Sequence, residues 1–238
     1  MSDMSAHGSR LRRSLLALLS LSLAACGPAE AGSASREAPA PGGETVDSSA
    51  GADDRAAILF LGNSLTAGLG VDPNEAFPAL LQARLDSAGL PYRVVNAGVS
   101  GETSAGGLRR IDFLLEPEVE VLVLALGAND ALRGVRPETT RRNLQAIIDR
   151  TRERCPACRI VVAGMLAPPN LGPTYTRAFR EIFPDLARRN GTALVPFLLE
   201  GVGGERSLNQ PDGIHPTAEG HEVVAATVWP VLREVLEP

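Results

Sequence analysis

The fold is decided by residues 58–68, which read ILFLGNSLTAG. The four apolar residues at the start predict a short buried strand, and the small and polar residues behind them predict a sharp turn into a helix. Ser64 then lies at the end of a strand, where its hydroxyl can project from the edge of a sheet. A serine in such a turn is ordinary loop chemistry unless other reactive groups converge on it.

Strand-like and helix-like segments alternate five times after residue 55. The predicted strands are 58–61, 92–95, 119–126, 159–165 and 193–195, and the predicted helices are 77–88, 103–116, one from 137, 173–189 and one after Thr217. This alternation predicts an α/β fold with a five-stranded parallel sheet covered by helices on both faces. Small polar turns follow the first three strands, and sites in such sheets form at that edge.

A general base for Ser64 has few candidates, because the chain contains only three histidines. His7 lies in the leader-like N-terminus, and His221 lies within the last helix, where a solvated or core-edge histidine is expected. His215 belongs to the loop DGIHP at 212–216, with Asp212 close enough to orient its ring and stabilise the imidazolium. The alternative for this loop is a structural Asx turn beside an exposed histidine.

Donors for an oxyanion are also available at the strand ends. Ser64 and Gly98 offer backbone N–H groups, and Asn129 offers a side-chain amide. Gly98 has no Cβ, which lets a substrate approach the main chain closely. Taken singly, Asn129 could cap a turn and Gly98 could serve a bend; with Ser64 and His215 they form a site for acyl transfer.

Four segments carry a family resemblance: GNSL at 62–65, NAG at 96–98, GAND at 127–130 and DGIHP at 212–216. In this order they resemble the blocks of the SGNH (GDSL) hydrolases, over about residues 58–236. Residues 168–184 are similar to the arylesterase, lysophospholipase and acyl thioesterase I group.

The resemblance implies a three-layer, flavodoxin-like SGNH hydrolase fold. It also implies Ser64 as the nucleophile, His215 as the base and Asp212 as its orienter, with an oxyanion hole of Ser64, Gly98 and Asn129. We expect no metal and no cofactor. The family usually has Asp where this chain has Asn63; Asn is neutral and similar in shape, so we expect the turn to survive and the local charge around Ser64 to change.

The N-terminus predicts export. Arginines at 10–13 precede an apolar run at 14–25, the layout of a secretory signal, and the run is too short to span a membrane. LAAC at 23–26 resembles a bacterial lipobox, which implies that Cys26 is lipidated; Gly27 lacks the acidic residue of inner-membrane retention. The alternative is a plain signal peptide with a chance cysteine.

The predicted organisation is therefore a signal peptide at 1–25, a lipidated Cys26 and flexible linker at 26–55, and a hydrolase domain at 56–238. Ala, Gly, Ser, Pro and Glu dominate the linker, which shows no apolar periodicity. We expect a lipid-anchored protein of the bacterial cell envelope that faces the periplasm, with the outer membrane favoured and a monomer favoured.

Composition excludes several classes of function. A net charge of −5 argues against a nucleic-acid binder. All 23 basic residues are arginine, so lysine-nucleophile and Schiff-base chemistry has no residue to use. Cys155 and Cys158 form a C-x-x-C motif, for which a small disulfide or two idle thiols is favoured over a redox pair or a zinc half-site.

The leading hypothesis is a serine esterase that hydrolyses acyl esters, such as lysophospholipids, through an acyl-serine intermediate. The alternatives are a carbohydrate O-acetyl esterase and a non-catalytic envelope lipoprotein that binds a glycan or lipid.

Overall fold

The computed structural model describes residues 53–237. The predicted signal peptide, Cys26 and most of the predicted linker lie outside the described residues, so the predicted domain boundaries and the lipid anchor stay predictions.

A single parallel sheet organises this part of the chain. Its strands are β1 (Ala56–Gly62), β2 (Tyr92–Gly98), β3 (Val119–Ala125), β4 (Arg159–Ala163) and β5 (Ala193–Val195). Their spatial order is β2-β1-β3-β4-β5, and every pair is parallel. This is the flavodoxin-like order, in which the chain leaves β1 toward one side of the sheet and returns to the other. The predicted α/β class and five-stranded parallel sheet are confirmed.

Eight α-helices accompany the strands within residues 53–237. They are α1 (Ser64–Ala67), α2 (Phe77–Ser87), α3 (Ser104–Leu114), α4 (Ala128–Leu132), α5 (Pro137–Arg154), α6 (Pro173–Arg180), α7 (Ile182–Asn190) and α8 (Ala218–Leu236). Helices α2 and α8 pack together on one face of the sheet, and α3, α5 and α7 pack in series on the other. The fold therefore has three layers, as the resemblance implied.

The register of the sheet brings the strand ends together. Gly62 at the end of β1 pairs with Gly98 on β2 and with Ala125 on β3. The loops that follow these three strands consequently leave the sheet side by side at its carboxyl edge. Strands β1 and β3 are the most deeply buried, because helices cover both of their faces; Phe60, Leu61 and Leu122 are fully buried.

Two predicted elements differ from the structure. The predicted helix at 173–189 is two helices separated at Glu181. Pro184 has no N–H to donate to the Arg180 carbonyl and its ring crowds that carbonyl, so a continuous helix is broken there. Strand β2 runs to Gly98 instead of ending at Val95, which removes the predicted turn at 96–98 from the loop.

Cys155 and Cys158 are joined by a disulfide between the end of α5 and the start of β4. The bridge lies at the amino edge of the sheet, the edge opposite the loops that follow Gly62 and Ala125. The small structural disulfide is thus the alternative that the structure supports. Between residues 53 and 237, no helix is long and apolar enough to cross a membrane.

Candidate active site

Ser64 is held at a tight turn between β1 and α1. Asn63 caps α1, and its side-chain Oδ1 accepts a hydrogen bond from the Leu65 N–H at 2.9 Å. A Cβ on Gly62 would lie 1.9 Å from the Thr66 hydroxyl oxygen, so only glycine permits so close an approach of strand and helix. The turn places Ser64 at the first position of the helix, at the carboxyl edge of the sheet.

Three side chains far apart in sequence form a continuous hydrogen-bonded chain at this edge. The Ser64 Oγ lies 2.9 Å from His215 Nε2, and His215 Nδ1 lies 2.6 Å from Asp212 Oδ2. Because an ionised carboxylate can only accept, Nδ1 carries the ring hydrogen and Nε2 is left to accept from the Ser64 hydroxyl. The structure therefore brings together the three residues that the sequence analysis named.

The Asp212 carboxylate is strongly stabilised in its charged form. Its pKa is lowered from 3.8 to about 2, first by the hydrogen bond with His215 and then by the backbone N–H groups of Ile214 and His215. Those two N–H groups donate to Oδ1 at 2.9 and 3.0 Å, which leaves Oδ2 for the imidazole. The Asx turn that the sequence analysis gave as the alternative is present. It orients the Asp212 carboxylate toward His215, so the turn and the contact with the histidine occur together.

Gln210 positions the loop that carries His215, and the sequence analysis missed it. The Gln210 N–H donates to the His215 carbonyl at 2.7 Å, and its side-chain amide donates to the carbonyls of Leu69 and Pro216. Leu69 follows α1, so this one amide ties the histidine loop to the serine turn. No local pattern distinguishes such a glutamine from a solvated one.

Asn129 lies beside Ser64 and is oriented by a backbone carbonyl. It stands in α4, directly after β3, and its amide donates to the Glu102 carbonyl at 3.0 Å. An amide nitrogen carries two hydrogens, so one remains for a substrate. The carbonyl is itself well placed, because the Glu102 side chain is buried and paired with the Arg110 guanidinium.

The structure does not support Gly98 as an oxyanion donor. Its N–H donates to the Asn96 side chain at 3.0 Å, and a Cβ there would lie 2.3 Å from the Ala67 nitrogen, so Gly98 packs against α1. Gly101 lies in the site instead, with a φ of +78° and its carbonyl held by the Arg133 guanidinium at 2.8 Å. Because β2 continues through Gly98, the glycine in the following loop that lines the site is Gly101, three residues further along the chain.

A cavity of about 570 Å³ surrounds Ser64 and His215. Four large apolar side chains lie in its wall and are also solvent-exposed: Leu69 (46 %), Leu132 (48 %), Leu166 (43 %) and Ile214 (44 %). Exposed apolar side chains grouped around a cleft are a mark of apolar ligands. Among the described residues, no group of His, Cys, Asp or Glu is arranged to hold a metal ion.

His221 lies outside this cavity, as the sequence analysis expected. It is 1 % exposed, and its Nδ1 accepts a hydrogen bond from the Phe77 N–H at 3.2 Å. The ring stacks on Phe77, between α8 and α2. It is a core histidine with no contact to the triad.

Comparison with known proteins agrees with this arrangement. Residues 60–223 match the GDSL-like lipase/acylhydrolase family. The chain belongs to that family. It is a carboxylic ester hydrolase of the SGNH type.

Two curated relatives and one solved structure illustrate the similarity. Esterase TesA of Pseudomonas aeruginosa is 43 % identical over 180 residues, which cover 75 % of this chain and 89 % of the relative. Thioesterase 1/protease 1/lysophospholipase L1 of Escherichia coli K12 is 36 % identical, with 71 % and 79 % covered. A crystal structure of TesA, 42 % identical, superposes with a TM-score of 0.72 and covers 75 % of this chain and 99 % of its own.

Proposed function

We propose that this SGNH hydrolase cleaves acyl esters through an acyl-serine intermediate on Ser64. His215 Nε2 takes the hydroxyl proton as Ser64 Oγ attacks the ester carbonyl carbon, and the resulting imidazolium gives that proton to the departing alcohol. Water then attacks the acyl-enzyme by the same route, which releases the acid and restores Ser64. The continuous contact from Asp212 through His215 to Ser64 is the observation that carries this proposal.

The oxyanion formed on the carbonyl oxygen is stabilised by hydrogen-bond donors in the same cavity. We assign this role to the Ser64 N–H, the second hydrogen of the Asn129 amide and the Gly101 N–H. Ser64, Gly101 and Asn129 all line the cavity. Gly101 replaces Gly98, whose N–H is already used within β2.

The apolar wall of the cavity supports an ester with an aliphatic acyl chain. Leucine and isoleucine side chains contact alkyl groups well and offer no hydrogen bond to a sugar hydroxyl. Lysophospholipids and related lipid esters are therefore favoured over acetylated carbohydrates. The lysophospholipase activity in the name of the E. coli relative is in line with this choice.

The cellular setting proposed here rests on the sequence pattern of the N-terminus. The basic residues, the apolar run and LAAC at 23–26 support export and lipidation of Cys26, with the enzyme held at the outer membrane and facing the periplasm as a monomer. Labelling cells with a radioactive fatty acid tests this, because Cys26→Ser should abolish incorporation into the protein.

The decisive experiment compares wild type with Ser64→Ala on p-nitrophenyl butyrate. We expect turnover to fall to background, and we expect a fluorophosphonate probe to label wild type alone. Asn129→Ala should lower kcat by roughly 10²–10³-fold, the usual cost of one oxyanion donor. Undiminished turnover by Ser64→Ala would remove the proposal.

The substrate class is tested separately with lysophosphatidylcholine and acetylated xylan. We expect faster hydrolysis of the lipid because of the apolar cavity wall. A strong preference for acetylated xylan would instead support the carbohydrate esterase.

A further inference from the structure

A second cavity adjoins the one around Ser64. It has a volume of about 510 Å³ and lies between α6 and the loop that follows β4. Leu166, Ala167 and Pro169 line both cavities, so this loop is a shared wall. A ligand that passes over Leu166, which is exposed, leaves the ester site and enters the second cavity.

The two cavities differ in charge. The far wall of the second one is lined by Arg177 and Arg180, while the shared wall is apolar. These residues are three apart on α6 and therefore project from the same side of the helix. Within residues 53–237, neither guanidinium lies within ion-pair distance of a carboxylate.

Two neighbouring, unneutralised guanidinium groups recognise a particular chemistry. Arginine donates pairs of hydrogen bonds to the oxygens of a carboxylate or phosphate, and its charge persists at every physiological pH. Resting on the proposed esterase function, we propose that Arg177 and Arg180 form a subsite for an anionic oxygen group, carboxylate or phosphate, carried by the same ester that reacts at Ser64.

Two matched pairs of esters locate the charge. On the acyl side, 4-nitrophenyl hydrogen glutarate carries a terminal carboxylate, and 4-nitrophenyl pentanoate has the same chain length without it. On the alcohol side, 1-butanoylglycerol 3-phosphate is compared with 1-butanoylglycerol. The full-length enzyme and its variants are assayed for kcat and KM separately.

We expect Arg177→Gln/Arg180→Gln to raise KM for the anionic member of one pair by about tenfold or more, the scale of losing a charge-assisted hydrogen bond. Neither the kcat for that ester nor either constant for the neutral esters should change. Arg177→Lys/Arg180→Lys keeps the charge without the planar fork and should restore part of the affinity. Arg154→Gln is the control for the single variants Arg177→Gln and Arg180→Gln, because each removes one positive charge and Arg154 is an exposed arginine at the end of α5.

The outcomes separate the two proposals. If the arginines only complement the dipole at the end of α6, the double variant lowers the melting temperature without altering the ratio of anionic to neutral KM, and the subsite is overturned. If wild type hydrolyses none of the four esters, the proposed function fails and the subsite fails with it.

Discussion

At the scale of single residues, the reactivity of Ser64 depends on the hydrogen bonds that the Asp212 carboxylate accepts. Its carboxylate receives two backbone N–H groups and the imidazole N–H, and these bonds hold its pKa at about 2. The group consequently stays negative throughout the pH range in which an esterase is assayed. It can then hold His215 in the tautomer that accepts from Ser64.

We expect Asp212→Asn to lower kcat by about 10⁴-fold, by analogy with the serine protease triad, because an amide can hold the ring in the wrong tautomer. In wild type, Asp212 should stay ionised between neutrality and pH 4, so its protonation should not affect kcat/KM there, since its pKa is about 2. Both are measured with p-nitrophenyl butyrate. A limiting slope of two in the logarithm of kcat/KM against pH, above pH 4, would show that a second group, such as Asp212, also gains a proton.

Asn63 shows how one departure from the family pattern is accommodated. Its Oδ1 accepts from the Leu65 N–H, which a carboxylate oxygen at the same place could also do, and the side chain is 1 % exposed. The turn therefore depends on a side-chain acceptor and not on a negative charge.

Asn63→Ala should destabilise the protein by about 1 kcal/mol, the usual cost of an N-cap, and should also lower kcat because Ser64 follows it directly. Asn63→Asp is the matched control, since it retains the acceptor and adds a charge that the helix dipole favours. Urea unfolding measures both. Equal destabilisation by the two changes would contradict the capping role.

At the scale of the secondary-structure elements, one buried carboxylate links helices α3, α4 and α5. Asp130 in α4 is 1 % exposed and accepts from the N–H and hydroxyl of Ser104 in α3, and from the Thr140 hydroxyl in α5. A buried carboxylate persists because these donors satisfy it. Helices α3, α4 and α5 thus share one anchor, next in sequence to Asn129.

We expect Asp130→Ala to lower the free energy of unfolding by about 3 kcal/mol, because it leaves the buried Ser104 donors without a partner. The kcat should fall as well, since Asn129 is the adjacent residue. Thr140→Val removes only the longest of these bonds, at 3.3 Å, and serves as the control with a smaller effect. Urea unfolding and p-nitrophenyl butyrate hydrolysis check the two expectations; equal stability of both variants would count against the anchor.

At the scale of the whole fold, the last helix, α8, packs on α2, the first long helix. His221 on α8 accepts from the Phe77 N–H at the start of α2, and its pKa is lowered from 6.5 to about 4, first by burial and then by the charge of His215. The native protein therefore holds this ring neutral. The unfolded chain binds a proton at a higher pH than the folded chain does.

The stability of the protein should accordingly fall as the pH drops from 6.5 to 4, by roughly 3 kcal/mol from this group. Above pH 6.5 the contribution is complete. His221→Gln, which still offers an acceptor to the Phe77 N–H, should flatten this part of the profile, whereas His215→Ala should retain most of it, because burial is the larger cause of the lowered pKa. Urea unfolding at several pH values measures the slope; an unchanged slope in His221→Gln would contradict the prediction.

The sequence by itself revealed the site residues and elements that are marked by short local patterns. A strand that ends in GNSL, and a DGIHP loop that begins a capped helix, are local patterns that few structures satisfy. Ser64, Asn129, Asp212 and His215 were named from such short blocks. The structure places Ser64, Asn129 and His215 in one cavity, with Asp212 hydrogen-bonded to His215. The alternation of strands and helices predicted the parallel sheet for the same reason, since hydrophobic periodicity reflects burial directly.

Tertiary structure alone decided which glycine lines the cavity around Ser64. The sequence analysis named Gly98, but pairing with β1 extends β2 through Gly98, whose N–H donates to the Asn96 side chain, so Gly101 takes the loop position. In the same way, nothing near Arg177 in the sequence indicates that α6 folds beside the Ser64 cavity. Local backbone preferences act over a few residues, whereas the docking of one element on another depends on contacts between segments that are distant in sequence, such as Ser64 and His215, which are 151 residues apart.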